Sequence, residues 1–355
     1  MNRDPILFRV DGSTRGGWER LSRCMALAAA LQRRRRPTFF LSRLDPATLG
    51  SAVKRAGSDW LEADADAGSS EDLDELVQET RRIRPAAVVV DAADLTENYL
   101  ETIRQTGTTV VSIDHLAGLR FPSKLVVNPL LGPGRDSYVF EKGTQLLLGP
   151  RFAIIRPEIR RIRPTRSQEP PPPFRALIAL DDDINRCTGD LAKMLINVPK
   201  VERVEMIVRP QHPDLAALQN MAAANPERLG VASEPSDVTG RLTRSHLAIS
   251  AGTGLSLELA CIGVPQLLIV QSEAHWPTAQ RLEEEGAASC LGWHESVSAQ
   301  TIRTAVSGML GDALERQAMS RCGRQLIDGR GLDRLVTALE VVLHPSREVV
   351  LSEAA

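Results

Sequence analysis

The sequence has no cysteine pair, no zinc-spaced histidines, no long apolar run and almost no net charge, and each absence removes a class of function. Its five cysteines, Cys24, Cys187, Cys261, Cys290 and Cys322, are scattered and odd in number, with no C-x-x-C. That pattern fits a reducing compartment better than a disulfide framework. The six histidines are equally dispersed, with neither H-E-x-x-H nor a Cys/His pair at zinc spacing, so no metal and no other cofactor is expected. Lysine plus arginine (43) nearly cancels aspartate plus glutamate (45), leaving a formal charge of -2. The chain as a whole is therefore attracted neither to nucleic acid nor to an anionic membrane, and partners are recognised locally. The opening stretch MNRDPILFRVDG lacks a signal-peptide core, and no segment approaches the length of a membrane span. The expected location is the cytoplasm.

What is present is enough for two domains. A chain of 355 residues that is 43% hydrophobic can build two cores. In the first half, ILFRVD reads as a strand, RLSRCMALAAALQRR as a helix with Leu21, Cys24, Met25, Leu27, Ala28 and Leu31 along one stripe, and TFFLS as a second strand. The pattern repeats with LDELVQETRRIRP as helix, AAVVVD as strand, ENYLETIRQTG as helix and TVVSID as strand. Continuous apolar strands bounded by turns call for a parallel sheet covered by helices on both faces. Near residue 165 the composition changes to RIRPTRSQEPPPPF, which can neither continue a helix nor pair in a central strand. After it FRALIAL, RVEMIVR, HLAIS and PQLLIV alternate with helical segments such as CTGDLAKMLINV and TGLSLELACIG. The expected division is a first domain over 1–163, a proline-rich linker over 164–173, a second domain over 174–345 with a closing helix near 331–343, and a tail over 346–355. The run Arg33 to Arg36 falls at a helix end and reads as a solvated last turn.

Open α/β sheets bind ligands beyond the carboxyl ends of their strands. On that rim the first half places Asp11, Asp91 and Asp114, with Ser13, Gly16 and Gly17 beside them, and the second half places Asp181, Asp182 and Asp183. Any of these carboxylates can also cap a helix, the commoner role after a strand. In LAISAGTGLSLELACIGVP, the backbone at Gly252, Thr253 and Gly254 suits a diphosphate, and Glu258 stands one turn on, where it can accept from ribose hydroxyls. The competing reading of the same residues is a glycine turn, a capping threonine and an exposed glutamate.

Several longer segments resemble a known family: FRVDGS, RCMALA, VVVDAADL, VVSIDHLA, LVVNPLLGP, LLLGPRFAIIRPE, AISAGTGLSLELACIGVPQLLIV and LEEEGAASCLG, taken in order over nearly the whole chain. They are similar to the UDP-sugar hydrolases of pseudaminic acid biosynthesis, relatives of the peptidoglycan UDP-N-acetylglucosamine transferase. The resemblance implies an α/β protein of GT-B type, two Rossmann-like domains facing a central cleft. It further implies a UDP-sugar ligand held mainly by the second domain, metal-free hydrolysis with inversion, and partner enzymes of a glycan pathway.

The resemblance breaks at the chemistry. The family's general base looks like a histidine within G-x-G-H, because attacking water needs a proton acceptor. Here that pattern aligns with Gly17-Trp18-Glu19-Arg20, and arginine cannot serve as a base. The family's aspartate-histidine-tyrosine stretch reads Asp91-Ala92-Ala93, its later glycine pair gives way to Asp181-Asp182-Asp183, and its Asn-Gln becomes Ala274-His275. Three readings stay open. In the first, a rebuilt hydrolase uses Glu19 or His115 as base, Asp11 and Asp91 line the site, and Arg20 binds an anionic group, with Asp183 and His275 near the nucleotide. In the second, the same scaffold transfers the sugar to a hydroxyl. In the third, it binds a nucleotide sugar without turnover or serves as a partner subunit in a surface-glycan pathway. The triple aspartate is expected to repel a diphosphate.

Overall fold

The computed structural model describes residues 3–13, 17–233 and 235–344. The chain divides into two units, one of residues up to 154 together with those from 330 onward, the other of residues 155–329.

In the first unit the alternation read from the sequence forms as expected. Its elements are β1 (Ile6–Val10), α1 (Trp18–Gln32), β2 (Thr38–Ser42), α2 (Thr48–Arg55), β3 (Asp59–Glu62), α3 (Ser70–Ile83), β4 (Ala87–Asp91), α4 (Glu97–Arg104), β5 (Thr109–Ile113), β6 (Leu125–Asn128) and β7 (Gln145–Leu148). The strands make a seven-stranded sheet in the order β7-β6-β5-β4-β1-β2-β3, with every pairing parallel. Side chains alternate between the two faces. Ile6, Phe8 and Val10 therefore pack with Leu21, Leu27 and Leu31 of α1, while Leu7 joins Leu76 of α3 and Leu100 of α4 on the opposite face.

The second unit repeats the plan. It contains α5 (Pro157–Ile162), β8 (Arg175–Ala179), α6 (Thr188–Leu195), β9 (Arg203–Ile207), α7 (Leu215–Ala224), β10 (Leu229–Ala232), α8 (Pro235–Arg244), β11 (Leu247–Ser250), α9 (Gly254–Ile262), β12 (Gln266–Val270), α10 (Trp276–Glu284), β13 (Ser289–Trp293), α11 (Ala299–Gly311) and α12 (Ala313–Leu326). Its sheet runs β10-β9-β8-β11-β12-β13, again entirely parallel. In both sheets the chain winds outward from its first strand and then crosses back over it, the doubly wound arrangement of a Rossmann-like domain. No described helix is long and apolar enough to cross a membrane.

The domain boundaries differ from those expected. The units divide at 154/155, and the final helix, α13 (Gly331–Leu343), returns to the first unit. There Leu332, Leu335, Val336 and Leu339 complete the α1 side of the core. Arg36 explains part of that return. Three members of its arginine run are exposed, as the sequence suggested, but Arg36 is buried and donates to both carboxylate oxygens of Glu340 on α13. The proline-rich stretch is not a free tether either. Arg166 is 4% exposed and donates to the carbonyls of Gly263 and Ser245, and Glu169 pairs with Arg316. These contacts fasten the segment to the second unit, because a buried guanidinium needs its donors satisfied. The expected tail at 346–355 lies outside the described residues.

Candidate functional site

The first unit reverses winding direction between β1 and β4, which pair directly. Their carboxyl ends are the ligand position of an open α/β sheet, and they carry Asp11 and Asp91.

Asp11 is fixed by its surroundings. Its Oδ1 accepts from the Arg43 amide at 2.8 Å and its Oδ2 from the Ala67 amide at 2.7 Å. Both oxygens also accept from Arg9, a fully buried arginine whose Nε donates to Asp72. Tyr99 donates its hydroxyl to Asp72. Asp11 thus ties two neighbouring loops to the strand end through a charge-compensated buried network, a positioning role and not that of an open acid. Gly17 follows at φ 81°, where a β-carbon would stand 3.0 Å from the Asp11 carbonyl. Glycine is required there to let α1 begin against the strand end. Ser13 lies in a two-residue pairing of Gly12–Ser13 with Leu44–Asp45, and Gly16 lies outside the described residues.

Asp91 is 1% exposed and is gripped by the Arg23 guanidinium through two 2.6 Å bonds. Burial works against the charge on Arg23, but Asp91 outweighs it and holds the group above its ordinary value. Arg23 also stands 3.8 Å from Glu19, one turn earlier on α1. The fourth member is His115, half-buried just beyond β5. Burial, then the charge of Arg23, pushes its imidazole below the ordinary 6.5, against the opposing fields of Asp91, Glu19 and Asp114. A histidine so placed is neutral near pH 7 and able to take a proton. Cys24 is also close, with its Sγ 3.5 Å from Asp91, but burial and that carboxylate push its thiol well above the ordinary range. It is no nucleophile. Asp114 caps the following turn by accepting from the Leu116 and Ala117 amides. Arg20 is half-buried in the first turn of α1 and forms no ion pair among the described residues.

In the second unit the same reversal falls between β8 and β11. The aspartates after β8 do not form the uncompensated cluster anticipated from the sequence. Asp182 bonds to Arg209 at 2.6 Å. Asp183, 3% exposed, accepts from the Cys187 and Thr188 amides at the start of α6 and lies 3.3 Å from His212 Nε2. Burial would raise its pKa, but the hydrogen bonds from His212, Thr188 and Cys187 hold it low. The expected repulsion of a diphosphate is therefore offset by a guanidinium and a helix start. Asp183 itself is engaged internally as the cap of α6.

The turn after β11 keeps its predicted form. Gly252 adopts φ 76°, and a β-carbon there would come within 2.9 Å of the His275 carbonyl. The missing side chain lets the segment bearing His275 lie against the Gly252 turn. The amides of Gly252 and Thr253 both donate to Ser256 Oγ, and α9 begins at Gly254. Glu258 is not the exposed acid of the simpler reading. It is 4% exposed and accepts from the Arg156 backbone amide at 3.0 Å and from its guanidinium at 2.6–3.1 Å. Burial opposes the charge on Arg156, and Glu258 more than restores it.

Sequence reasoning missed three contributors. Arg23 and Arg156 were visible only as members of longer similar segments, because nothing local marks an arginine as the partner of a distant carboxylate. Gln271, at the end of β12, accepts from the Asn185 amide, while its Nε2 is buried without a hydrogen-bond partner among the described residues. Such an orphan donor on a sheet rim suits a ligand acceptor. No group of three or more candidate metal ligands occurs among the described residues.

No family model matches the chain. Spore coat polysaccharide biosynthesis protein SpsG of Bacillus subtilis (strain 168) is 27% identical over 222 residues, which cover 61% of this chain and 65% of that protein, just under two thirds of its length. Among solved structures, MurG of Acinetobacter baumannii superposes with a TM-score of 0.63 at 14% identity, covering 95% of this chain and 99% of its own. The spinosyn rhamnosyltransferase SpnG complexed with thymidine diphosphate gives 0.65 at 17% identity, covering 95% and 100%. With the two doubly wound parallel sheets, these likenesses show the fold: the chain is an α/β protein of GT-B type, similar in sequence to a polysaccharide-biosynthesis protein.

Proposed function

We propose that this protein cleaves the anomeric C–O bond of a nucleotide sugar in surface-polysaccharide biosynthesis, hydrolysing a UDP-linked sugar of the pseudaminic acid type. The feature that carries the reading is His115, half-buried just beyond β5 on the carboxyl rim that also carries the Arg23–Asp91 pair, whose charges act on its imidazole. Water gives its proton to His115 as its oxygen bonds to the anomeric carbon. The bond from that carbon to the diphosphate oxygen breaks with its electron pair leaving on UDP. Asp91 and Arg23 hold the charge balance around the imidazole, and Arg20 supplies a cation for an anionic group of the substrate in place of the family's histidine. In the second unit, the start of α9 and the free Nε2 of Gln271 are the groups that meet the nucleotide diphosphate. The dispersed free thiols suit work in the cytoplasm, alongside the enzymes that make and consume such a sugar.

Glycosyl transfer is the second reading, since His115 can deprotonate an acceptor hydroxyl as readily as water. SpnG, whose structures hold thymidine diphosphate or the spinosyn aglycone, favours it. Incubating the purified chain with the UDP-linked diacetamido sugar, and measuring UDP release with and without candidate sugar acceptors, separates the readings. Hydrolysis predicts UDP release without an acceptor, lost in His115→Ala but retained in Glu19→Gln. Release that demands an acceptor selects transfer. UDP-sugar binding with no release under either condition sinks both and leaves a binding protein. Release undiminished in His115→Ala overturns the assignment of the base.

A further inference from the structure

The second sheet carries another charged feature at its opposite rim. Arg175 and Arg203 are the first residues of β8 and β9. Asp181 follows the other end of β8, so the length of the strand, roughly 3.3 Å per residue, separates this rim from the crossover described above. Together with Glu205, Asp237, Gly240, Arg241 and Arg244 the two arginines line a groove of about 530 Å³.

Charge in this groove is unbalanced and unevenly satisfied. Four guanidiniums face two carboxylates. Glu205, 3% exposed, is neutralised: one oxygen accepts from Arg203 Nε at 2.6 Å and the other from Arg241 Nη1. Arg203 and Arg241 use further donors on the carbonyls of Pro226, Leu229 and Val231. Gly230 makes room for this cluster, because a β-carbon there would stand 2.1 Å from Glu205 Oε2 and 2.4 Å from Arg241 Nη1. Arg175 and Arg244 are left over. The Arg175 guanidinium, 21% exposed, comes no nearer than 3.9 Å to Glu205 and donates no hydrogen bond among the described residues. Among the described residues Arg244 uses only its Nε, on the Gly240 carbonyl of its own helix. Burial, and then the like charges of Arg244 and Arg203, push Arg175 below its ordinary value, and burial, Arg203 and Arg244 do the same to Arg241. The cations repel one another, and an anion placed among them relieves that repulsion.

We infer that this groove is a second ligand site, in which Arg175 and Arg244 bind a phosphate or diphosphate group of a soluble molecule. Guanidiniums whose terminal nitrogens are free present paired donors that match phosphate oxygens. Among the described residues none of the large exposed apolar side chains, Leu116, Val139, Ile184, Trp276, Leu314 and Val341, lines the groove. A lipid surface would need such contacts to anchor it. The exposed Asp237 opposes anions on one side, which favours a compact phosphate group over an extended polyanion.

Calorimetric titration of the full chain with inorganic phosphate and with pyrophosphate tests the site. Wild type should bind pyrophosphate, and Arg244→Gln and Arg175→Gln should each weaken that binding about tenfold or more, the scale of lost charge-assisted bonds. Arg82→Gln, at an exposed arginine of α3 paired with Glu79 in the first unit, should leave it unchanged. Arg244 is exposed and bonded only within its helix, so Arg244→Gln keeps the fold and remains informative if Arg175→Gln disturbs Glu205. Absence of binding by both anions, or binding indifferent to Arg244→Gln, overturns the inference. Sedimentation with phosphatidylglycerol vesicles in the absence of phosphate or pyrophosphate binding would overturn the soluble ligand.

Discussion

Arg23→Met removes one charge from a buried pair while keeping most of the side-chain volume. Among the described residues Asp91, 1% exposed, would then keep only the Cys24 thiol as a polar side-chain contact, in place of two 2.6 Å bonds to a guanidinium. Breaking a buried pair by deleting one partner costs about 3–5 kcal/mol, because the remaining charge stays desolvated. Replacing both charges is far milder, so Arg23→Met with Asp91→Asn should recover most of that loss. In a unit of this size each kcal/mol lowers the midpoint by roughly 2–4 °C, which puts the single variant about 10 °C below wild type. The assay is urea and thermal unfolding, followed by hydrogen exchange in the β1 and β4 amides so that the first unit is read separately. The double-mutant cycle supplies the coupling energy. A second readout is chemical. Removing the Arg23 charge takes away one cause of the depressed His115 pKa while Asp91, Glu19 and Asp114 still raise it. The acid limb of any activity profile should therefore move to higher pH. A single variant as stable as wild type, or a double variant no better than the single, would refute the view that the pair compensates a buried carboxylate.

Three further outcomes follow from the same structure. Gly252→Ala should destabilise the second unit by about 1–3 kcal/mol, because it forces a β-carbon at positive φ towards the His275 carbonyl; urea midpoints measure it, and an unchanged midpoint would show that the turn is slack. Leu335→Ala should cost about 2–5 kcal/mol and lower hydrogen-exchange protection in β1 and β4 but not in β8 and β11, since Leu335 packs in the first core; the opposite pattern would return α13 to the second unit. His246 accepts from the Arg175 amide and lies 2.9 Å from the Pro170 carbonyl, and burial pushes its pKa below 6.5 despite that carbonyl. Its proton is bound more weakly folded than unfolded, so its contribution is present above pH 6.5 and is lost as pH falls through the lower folded value. His246→Gln should flatten that acid limb of second-unit stability, and an identical limb in wild type and variant would exclude His246 as its source.

The sequence by itself determined the local structure and the alternating, parallel α/β class. Runs such as AVVVD and LAIS are apolar throughout because strands covered on both faces have no solvated side, and stripes such as that of α1 repeat at the helical period; such signals are local and survive without any partner. It likewise marked Gly17 and Gly252, whose positive φ is a backbone demand written into one residue. Only the tertiary structure decided what the charges do. Asp11 and Asp183 read equally as rim acids or helix caps, and Glu258 as a ribose acceptor or an exposed helical acid, yet each is engaged by groups distant in the chain, Asp11 by Ala67, Asp183 by His212 and Glu258 by Arg156. The destination of α13 was equally illegible, since its apolar face fits either core until Arg36, 304 residues away, supplies the partner for Glu340. A carboxylate's role depends on which cation the fold brings beside it, and that pairing crosses sequence separations over which no periodicity extends.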